Sequence, residues 1–213
     1  MRQPGNEKIA KIFDKEARRY DRQMRLFERF VLGSAREWAI AQARGRVVEI
    51  AVGTGLNLPL YPADIERVIG VDLSEEMLVL ARRRVDQQYL ERIELHHGDV
   101  QALDLPDSSA DTVVSTFTYC TIPDPQRASQ EAYRILTPGG RFVLAEHGPS
   151  TNAMAGAVMR AAEPLSVLFQ ADHLMRNPVP YLKVAGFTID DVHRGGRGGI
   201  VFCVLAHKPT CGQ

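Results

Sequence analysis

Apolar residues along this chain fall into two kinds of stretch, short dense runs and longer passages with helical spacing. The runs are Val47 to Val52, Val68 to Val71, Ile93 to Leu95, Thr112 to Val114 and Phe142 to Leu144. Short runs rich in β-branched residues predict strands covered on both faces. Tyr181 to Ala185 reads as a last helix ended by Gly186 in the left-handed capping role. Phe187 to Val192 and Ile200 to Ala206 then read as a closing strand pair across Gly195-Gly196-Arg197-Gly198-Gly199. Strands alternating with helical segments predict an α/β architecture built on one open sheet. No repeat or low-complexity tract interrupts it.

The first run continues into Ala51-Val52-Gly53-Thr54-Gly55-Leu56-Asn57. Gly53 and Gly55 allow a tight turn and a close backbone approach to a ligand. The second run ends in Asp72, placed to accept hydrogen bonds from two ribose hydroxyls. A dinucleotide site would also need a third glycine at the helix start to receive a pyrophosphate, where this chain has Leu58-Pro59-Leu60. The third run ends in Gly98-Asp99-Val100, and Asp99 is placed to accept a hydrogen bond from an adenine amino group.

With Asp111 to Phe117 and the helix-to-strand passage Arg134 to Leu144, the chain resembles the class I S-adenosylmethionine-dependent methyltransferases from about Phe13 to Lys208. The resemblance implies a Rossmann-like, doubly wound sheet of seven strands whose last strand is antiparallel. It also implies an N-terminal amphipathic helix and a helical insert after strand five. It makes S-adenosylmethionine the cofactor, with contacts at Tyr20, Glu49, Ala51, Gly53, Gly55, Asn57, Leu58, Asp72, Leu73, Met77, Asp99, Val100, Thr116 and Phe117. One departure stands out: the family turn usually begins with glycine, and this chain has Ala51. The segment Phe13 to Asp21 resembles the part of such enzymes that closes over the cofactor, which puts Tyr20 against the methyl donor. A ring packed on the sheet edge is the alternative for Tyr20.

A chain of 213 residues with 45% apolar content is sized for one domain. The expected division is a helical cap over 1–45, a cofactor-binding core over 46–147, a helical insert over 148–178 and a closing helix and strand pair over 179–208. Neither a secretory leader nor a bilayer-spanning apolar stretch is present, which predicts a cytoplasmic protein. Cys120, Cys203 and Cys211 lack metal-ligand spacing, so they are expected to be free thiols and no metal is expected. Cys120 lies near the presumed active-site edge and is read as a packing residue.

The net charge is zero but unevenly spread: residues 1–46 carry 12 Lys or Arg against 6 Asp or Glu, and the remainder is correspondingly acidic. On a helix, Lys8, Lys11, Lys15, Arg18, Arg22 and Arg25 form one stripe, continued by Arg29. Ile9, Ile12, Phe13, Tyr20, Met24, Phe27 and Val31 lie opposite. Two readings remain open. The stripe is a solvated face, or the helix lies on an anionic membrane surface and the protein is peripherally attached to its inner face. Nucleic acid is not an expected partner, since the rest of the chain is acidic and lacks a stacking platform. Tyr20-Asp21 is a candidate break, with Asp21 capping a second helix.

After the fifth run, Ala145-Glu146-His147-Gly148-Pro149 reaches the carboxyl edge of the sheet, where open α/β folds bind ligands. Glu146, His147 and Tyr20 are therefore the candidate catalytic groups. The insert carries Met154, Ala157, Val158, Ala161, Leu165, Leu168 and Phe169 at helical spacing, interrupted by Pro164, and is expected to cover the acceptor. Tyr119, His147, His173 and Arg176 are the candidate acceptor contacts, and Tyr20, Phe117 and Tyr119 are candidates to hold a methylated ammonium. Size, the stretch from Val52 to Tyr61 and the basic N-terminal helix resemble bacterial phospholipid N-methyltransferases. That resemblance implies stepwise methylation of phosphatidylethanolamine toward phosphatidylcholine by a monomer on a membrane. Soluble thiol, amine or quinone methyltransferases are the rival reading. A non-catalytic regulator that binds the cofactor is a third.

Overall fold

A computed structural model describes residues 5–210, so Cys211 lies outside the described residues. Seven strands form one sheet in the order β3-β2-β1-β4-β5-β7-β6. They are β1 (Arg46–Ile50), β2 (Arg67–Asp72), β3 (Ile93–His97), β4 (Ala110–Thr116), β5 (Leu136–His147), β6 (Thr188–Gly195) and β7 (Val201–His207). The first five run parallel, and β7 lies antiparallel between β5 and β6. This is the Rossmann-like seven-stranded arrangement expected from the sequence. Strand order reverses between β1 and β4, the place where such sheets open a crevice at their carboxyl ends.

The helices are α1 (Asn6–Phe27), α2 (Ala35–Ala41), α3 (Glu75–Gln87), α4 (Pro125–Ile135), α5 (Ala153–Gln170) and α6 (Val179–Ala185). Alternation along the strands separates two cores. Val48, Ile50, Ile69, Val113 and Phe142 pack with Ala128, Ala132 and Ile135 of α4 and Leu182 of α6. Val47, Val68 and Val114 pack with Ile40 of α2 and Leu78 and Ala81 of α3. Start signals act where the sequence supplies them: Ser74 Oγ accepts from the Met77 amide, Asp124 from that of Arg127, and Asn152 from those of Met154 and Ala155.

Two helical expectations need correction. Tyr20-Asp21 does not break α1, which runs unbroken to Phe27 and ends in a wide π turn over Glu28–Leu32. Asp21 is occupied by partners on other elements and caps nothing. Pro164 does not interrupt α5 either, which continues to Gln170 and stops where Ala171 turns left-handed, at φ 57°.

Candidate active site

The carboxyl ends of the first four strands open into a cavity roofed by α1. Its floor includes Ala51, Gly53, Asp72, Met77, Asp99 and Phe117, and its roof Ile9, Phe13 and Tyr20. Leu73 and Val100 also line it, so nine of the expected cofactor contacts meet here. Gly53 turns at φ +57°, and a Cβ built there would meet nothing within 4 Å, which leaves the turn open toward the cavity. Ala51, at the position where glycine is usual, also adopts φ 53°, so the alanine carries backbone strain of order 1–3 kcal/mol. Asp72 is held by the Gly53 amide at 2.8 Å and the Ser74 amide at 2.8 Å, and burial raises its pKa. These bonds fix the carboxylate at the cavity floor, where it suits a diol.

Five of the expected contacts lie behind the cavity wall. Asn57 is fully buried, donating to Glu49 at 2.8 Å and Thr116 at 3.0 Å and accepting from Arg36 at 2.5 Å. Tyr61 donates to the other Glu49 oxygen at 2.7 Å, and Arg36 also pairs with Glu28. Burial pushes the Glu49 carboxyl up to about 7, against the lowering effect of Tyr61. Glu49, Asn57 and Thr116 thus buttress the turn from beneath. Leu58 is buried in the core beside α3 and does not line this cavity. Gly55 serves that packing, since a Cβ there would stand 2.6 Å from Leu58 Cδ1.

The roof is tied to each of three loops. Asn6 Nδ2 donates to Asp99 at 2.6 Å, Ser74 Oγ donates to Asp14 at 2.6 Å, and Thr54 Oγ1 donates to Asp21 at 2.6 Å. Asn6, Asp14 and Asp21 recur at spacings that keep one helical face. The three loops they reach follow β3, β2 and β1. Asp99 also accepts from the Gln101 amide and side chain, each at 2.9 Å. Sequence reasoning missed Asn6, Asp14, Arg36 and Gln101; the seven-to-eight-residue repeat of polar residues within the apolar face of α1 was the available signal for two of them.

A second cavity continues outward between α1 and the end of α5. Phe13, Tyr20, Phe117 and Thr121 line both cavities, so Tyr20 stands at their junction. Burial raises the Tyr20 pKa further above its ordinary value, so the phenol stays neutral. The far wall holds Cys120, His147 and Asp172. His147 Nε2 lies 3.1 Å from Asp172 Oδ1. Burial disfavours the imidazolium, but Asp172 and Glu146 outweigh it and lift His147 to about 9. Asp172 moves the opposite way: burial raises it and the His147 cation more than compensates. One ligand atom from each of Cys120, His147 and Asp172 lies within 4.8 Å of the other two, a convergence that the cysteine spacing did not predict.

Four candidate residues are not cavity groups. Glu146 is fully buried, accepting from the Thr118 amide at 2.5 Å and the His147 amide at 2.8 Å. Tyr119 is fully buried against Phe142 with its hydroxyl on Ser129 at 2.9 Å, so it cannot hold a cation in the pocket. Arg176 donates to the carbonyls of Tyr119 and Ile122 and pins that loop. His173 lies beside Glu163, Nδ1 to Oε1 3.6 Å, and donates its amide to the Cys120 carbonyl. The insert reaches the outer cavity only through the last turn of α5, at Phe169 and Gln170, and through Asp172 just beyond it. The rest of α5 buries no residue, and Met154, Val158, Leu165 and Leu168 are exposed. Lys8, Lys11, Lys15, Arg18, Arg22 and Arg25 are also exposed, and none forms an ion pair among the described residues.

Residues 48–144 match the methyltransferase domain family. A phosphatidylethanolamine N-methyltransferase of Cereibacter sphaeroides is 42% identical over 118 residues, which is 55% of this chain and 58% of that protein's length. A demethylmenaquinone methyltransferase of Deinococcus radiodurans is 33% identical over 169 residues, 75% of this chain and 68% of the relative. Among solved structures, an S-adenosylmethionine-dependent methyltransferase of Thermotoga maritima, described as a possible histamine N-methyltransferase, is 26% identical with a TM-score of 0.71. It covers 92% of this chain and 98% of its own.

Proposed function

Because this chain belongs to the S-adenosylmethionine-dependent methyltransferases, we propose that it methylates the amine headgroup of a phospholipid, phosphatidylethanolamine and its partly methylated forms, at a membrane surface. The observation that carries this reading is the setting of the outer cavity. It opens between a helix with an unpaired basic stripe and a helix of exposed apolar residues. An anionic bilayer would meet the first by charge and the second by apolar burial. No helix among the described residues is long and apolar enough to cross a membrane, so attachment is peripheral in this reading.

The cofactor is S-adenosylmethionine, and its sulfonium supplies an electrophilic methyl group. The chain's own work is to hold the adenosyl part on Asp72, Asp99 and the turn at Gly53, exclude water with α1, and aim the acceptor nitrogen. Tyr20, as a neutral phenol at the junction of the cavities, accepts a hydrogen bond from the amine and orients its lone pair. His147, lifted to about 9, is an imidazolium at neutral pH, so it pairs with Asp172 on the outer wall and the proton lost by the amine passes to solvent. Asp172 offsets the imidazolium charge, so that wall presents no net positive charge to an ammonium headgroup.

Incubation with labelled S-adenosylmethionine and vesicles containing phosphatidylethanolamine, followed by lipid chromatography, tests the reading. Label in mono-, di- or trimethylated lipid is expected. A second acceptor class, a demethylmenaquinone ring methylated at carbon, is favoured by the relative that aligns over three quarters of this chain. Label in the quinone and none in phospholipid would replace the first reading by the second. Cofactor binding with no acceptor labelled would favour a non-catalytic regulator.

A further inference from the structure

We propose that Cys120, His147 and Asp172 form a binding site for a divalent transition-metal ion of the zinc class on the inner wall of the outer cavity. The three come from separate segments: the loop after β4, the end of β5 and the loop after α5. Their ligand atoms lie within 4.8 Å of one another, and the His147–Asp172 pair is already at 3.1 Å. Zinc bound tetrahedrally at about 2.0–2.3 Å separates its ligands by roughly 3.3–3.8 Å. The 3.1 Å edge widens slightly, and the others close by up to about 1.5 Å.

The donor set is a thiolate, an imidazole and a carboxylate, which suits a borderline-soft ion and does not suit magnesium or calcium. Asp172 Oδ1 adds an independent sign. It is buried and makes no aligned hydrogen bond, despite its closeness to the His147 ring nitrogen. Two groups brought together without hydrogen-bond alignment are arranged as co-ligands would be. All three side chains line the outer cavity, so the fourth coordination position faces it, the pattern of three-ligand sites that keep an open place.

The backbone around each ligand is held by buried bonds. Glu146 accepts from the Thr118 and His147 amides, and Arg176 donates to the carbonyls of Tyr119 and Ile122, which bracket Cys120. The His173 amide donates to the Cys120 carbonyl, coupling the Asp172 loop to the Cys120 loop. Such outer bonds fix ligand orientation before metal arrives. Binding breaks the Cys120 S–H bond and forms a sulfur–metal bond, while the displaced thiol and imidazole protons pass to solvent.

Cobalt(II) titration of the reduced, chelator-treated protein tests the site without cofactor or lipid, so its outcome is separate from that of methyl transfer. One equivalent should produce a thiolate-to-cobalt charge-transfer band in the near ultraviolet, removed by added zinc. The band should vanish in Cys120→Ser, persist in Cys203→Ser, and require at least tenfold more cobalt in Asp172→Asn and His147→Asn. A wild-type protein that gives no band, or a band that survives Cys120→Ser, overturns the proposal. The wild-type titration decides even if a variant fails to fold.

Discussion

Thr54 Oγ1 donates to Asp21 Oδ1 at 2.6 Å, and Arg84 pairs with the other oxygen of the same carboxylate at 2.6 Å. One acid on the roof helix is thereby joined to the glycine turn and to α3 together. Arg84 also donates to the Thr54 carbonyl, so the turn is held whether or not the roof is down. Asp21→Ala removes the joint and leaves the floor intact. A charge-assisted bond of this kind contributes about 1.5 kcal/mol, which predicts roughly tenfold weaker binding of S-adenosylhomocysteine and faster amide exchange across α1. Calorimetry showing unchanged affinity would mean that the roof adds nothing to cofactor retention.

Glu49 predicts a pH dependence of stability with a definite sign. Burial raises its folded value to about 7, above the ordinary carboxyl range that it would show unfolded. A group raised on folding stabilises fully below its unfolded value, and that contribution fades as pH climbs through the folded one. Glu49→Gln cannot ionise, so the variant should gain on the wild type in melting temperature as pH rises through this window. Parallel melting curves across the window would place Glu49 outside the linkage.

Tyr20 and His147 stand on the same cavity but should fail differently. Tyr20→Phe keeps the ring at the junction of the two cavities and loses only the hydroxyl, so turnover should fall roughly tenfold or more while the KM for S-adenosylmethionine stays nearly constant. His147→Asn leaves the Asp172 carboxylate without its cation on that wall, so it should change the KM of a cationic acceptor more than turnover, and that of an uncharged acceptor less. Undiminished turnover in Tyr20→Phe would remove Tyr20 from the chemistry.

Strand runs and the glycine turn were legible because each is a local pattern: β-branched residues for buried strands, glycine where φ turns positive or a neighbour comes close. The acids after β2 and β3 were legible for the same reason, standing at fixed offsets from those strands. What failed was direction. Glu146 and His147 are adjacent on β5, and successive strand residues face opposite sides of a sheet, so only His147 reaches the cavity. Tyr119 lies two residues past Phe117 yet turns inward to Ser129. Arg36 with Asn57, and His147 with Asp172, are pairs that only the folded chain brings together, and no spacing along the sequence announces them.

The proposed membrane attachment predicts separable contributions from the basic stripe and α5. Each Lys or Arg near an anionic headgroup layer contributes about 1 kcal/mol, so replacing Lys11, Lys15, Arg18 and Arg22 by Gln should weaken partitioning onto anionic vesicles by up to roughly a thousandfold at low salt. Wild-type binding should weaken as salt is raised, because exposed charges are screened beyond about 10 Å at 0.1 M. Val158 and Leu165 are 65% and 61% exposed on α5, and changing both to Ser should instead weaken binding to neutral and anionic vesicles alike. Sedimentation of the three proteins with both vesicle types separates the terms. If the wild type fails to sediment with anionic vesicles at any salt concentration, the stripe is a solvated face and the lipid acceptor reading loses its principal support.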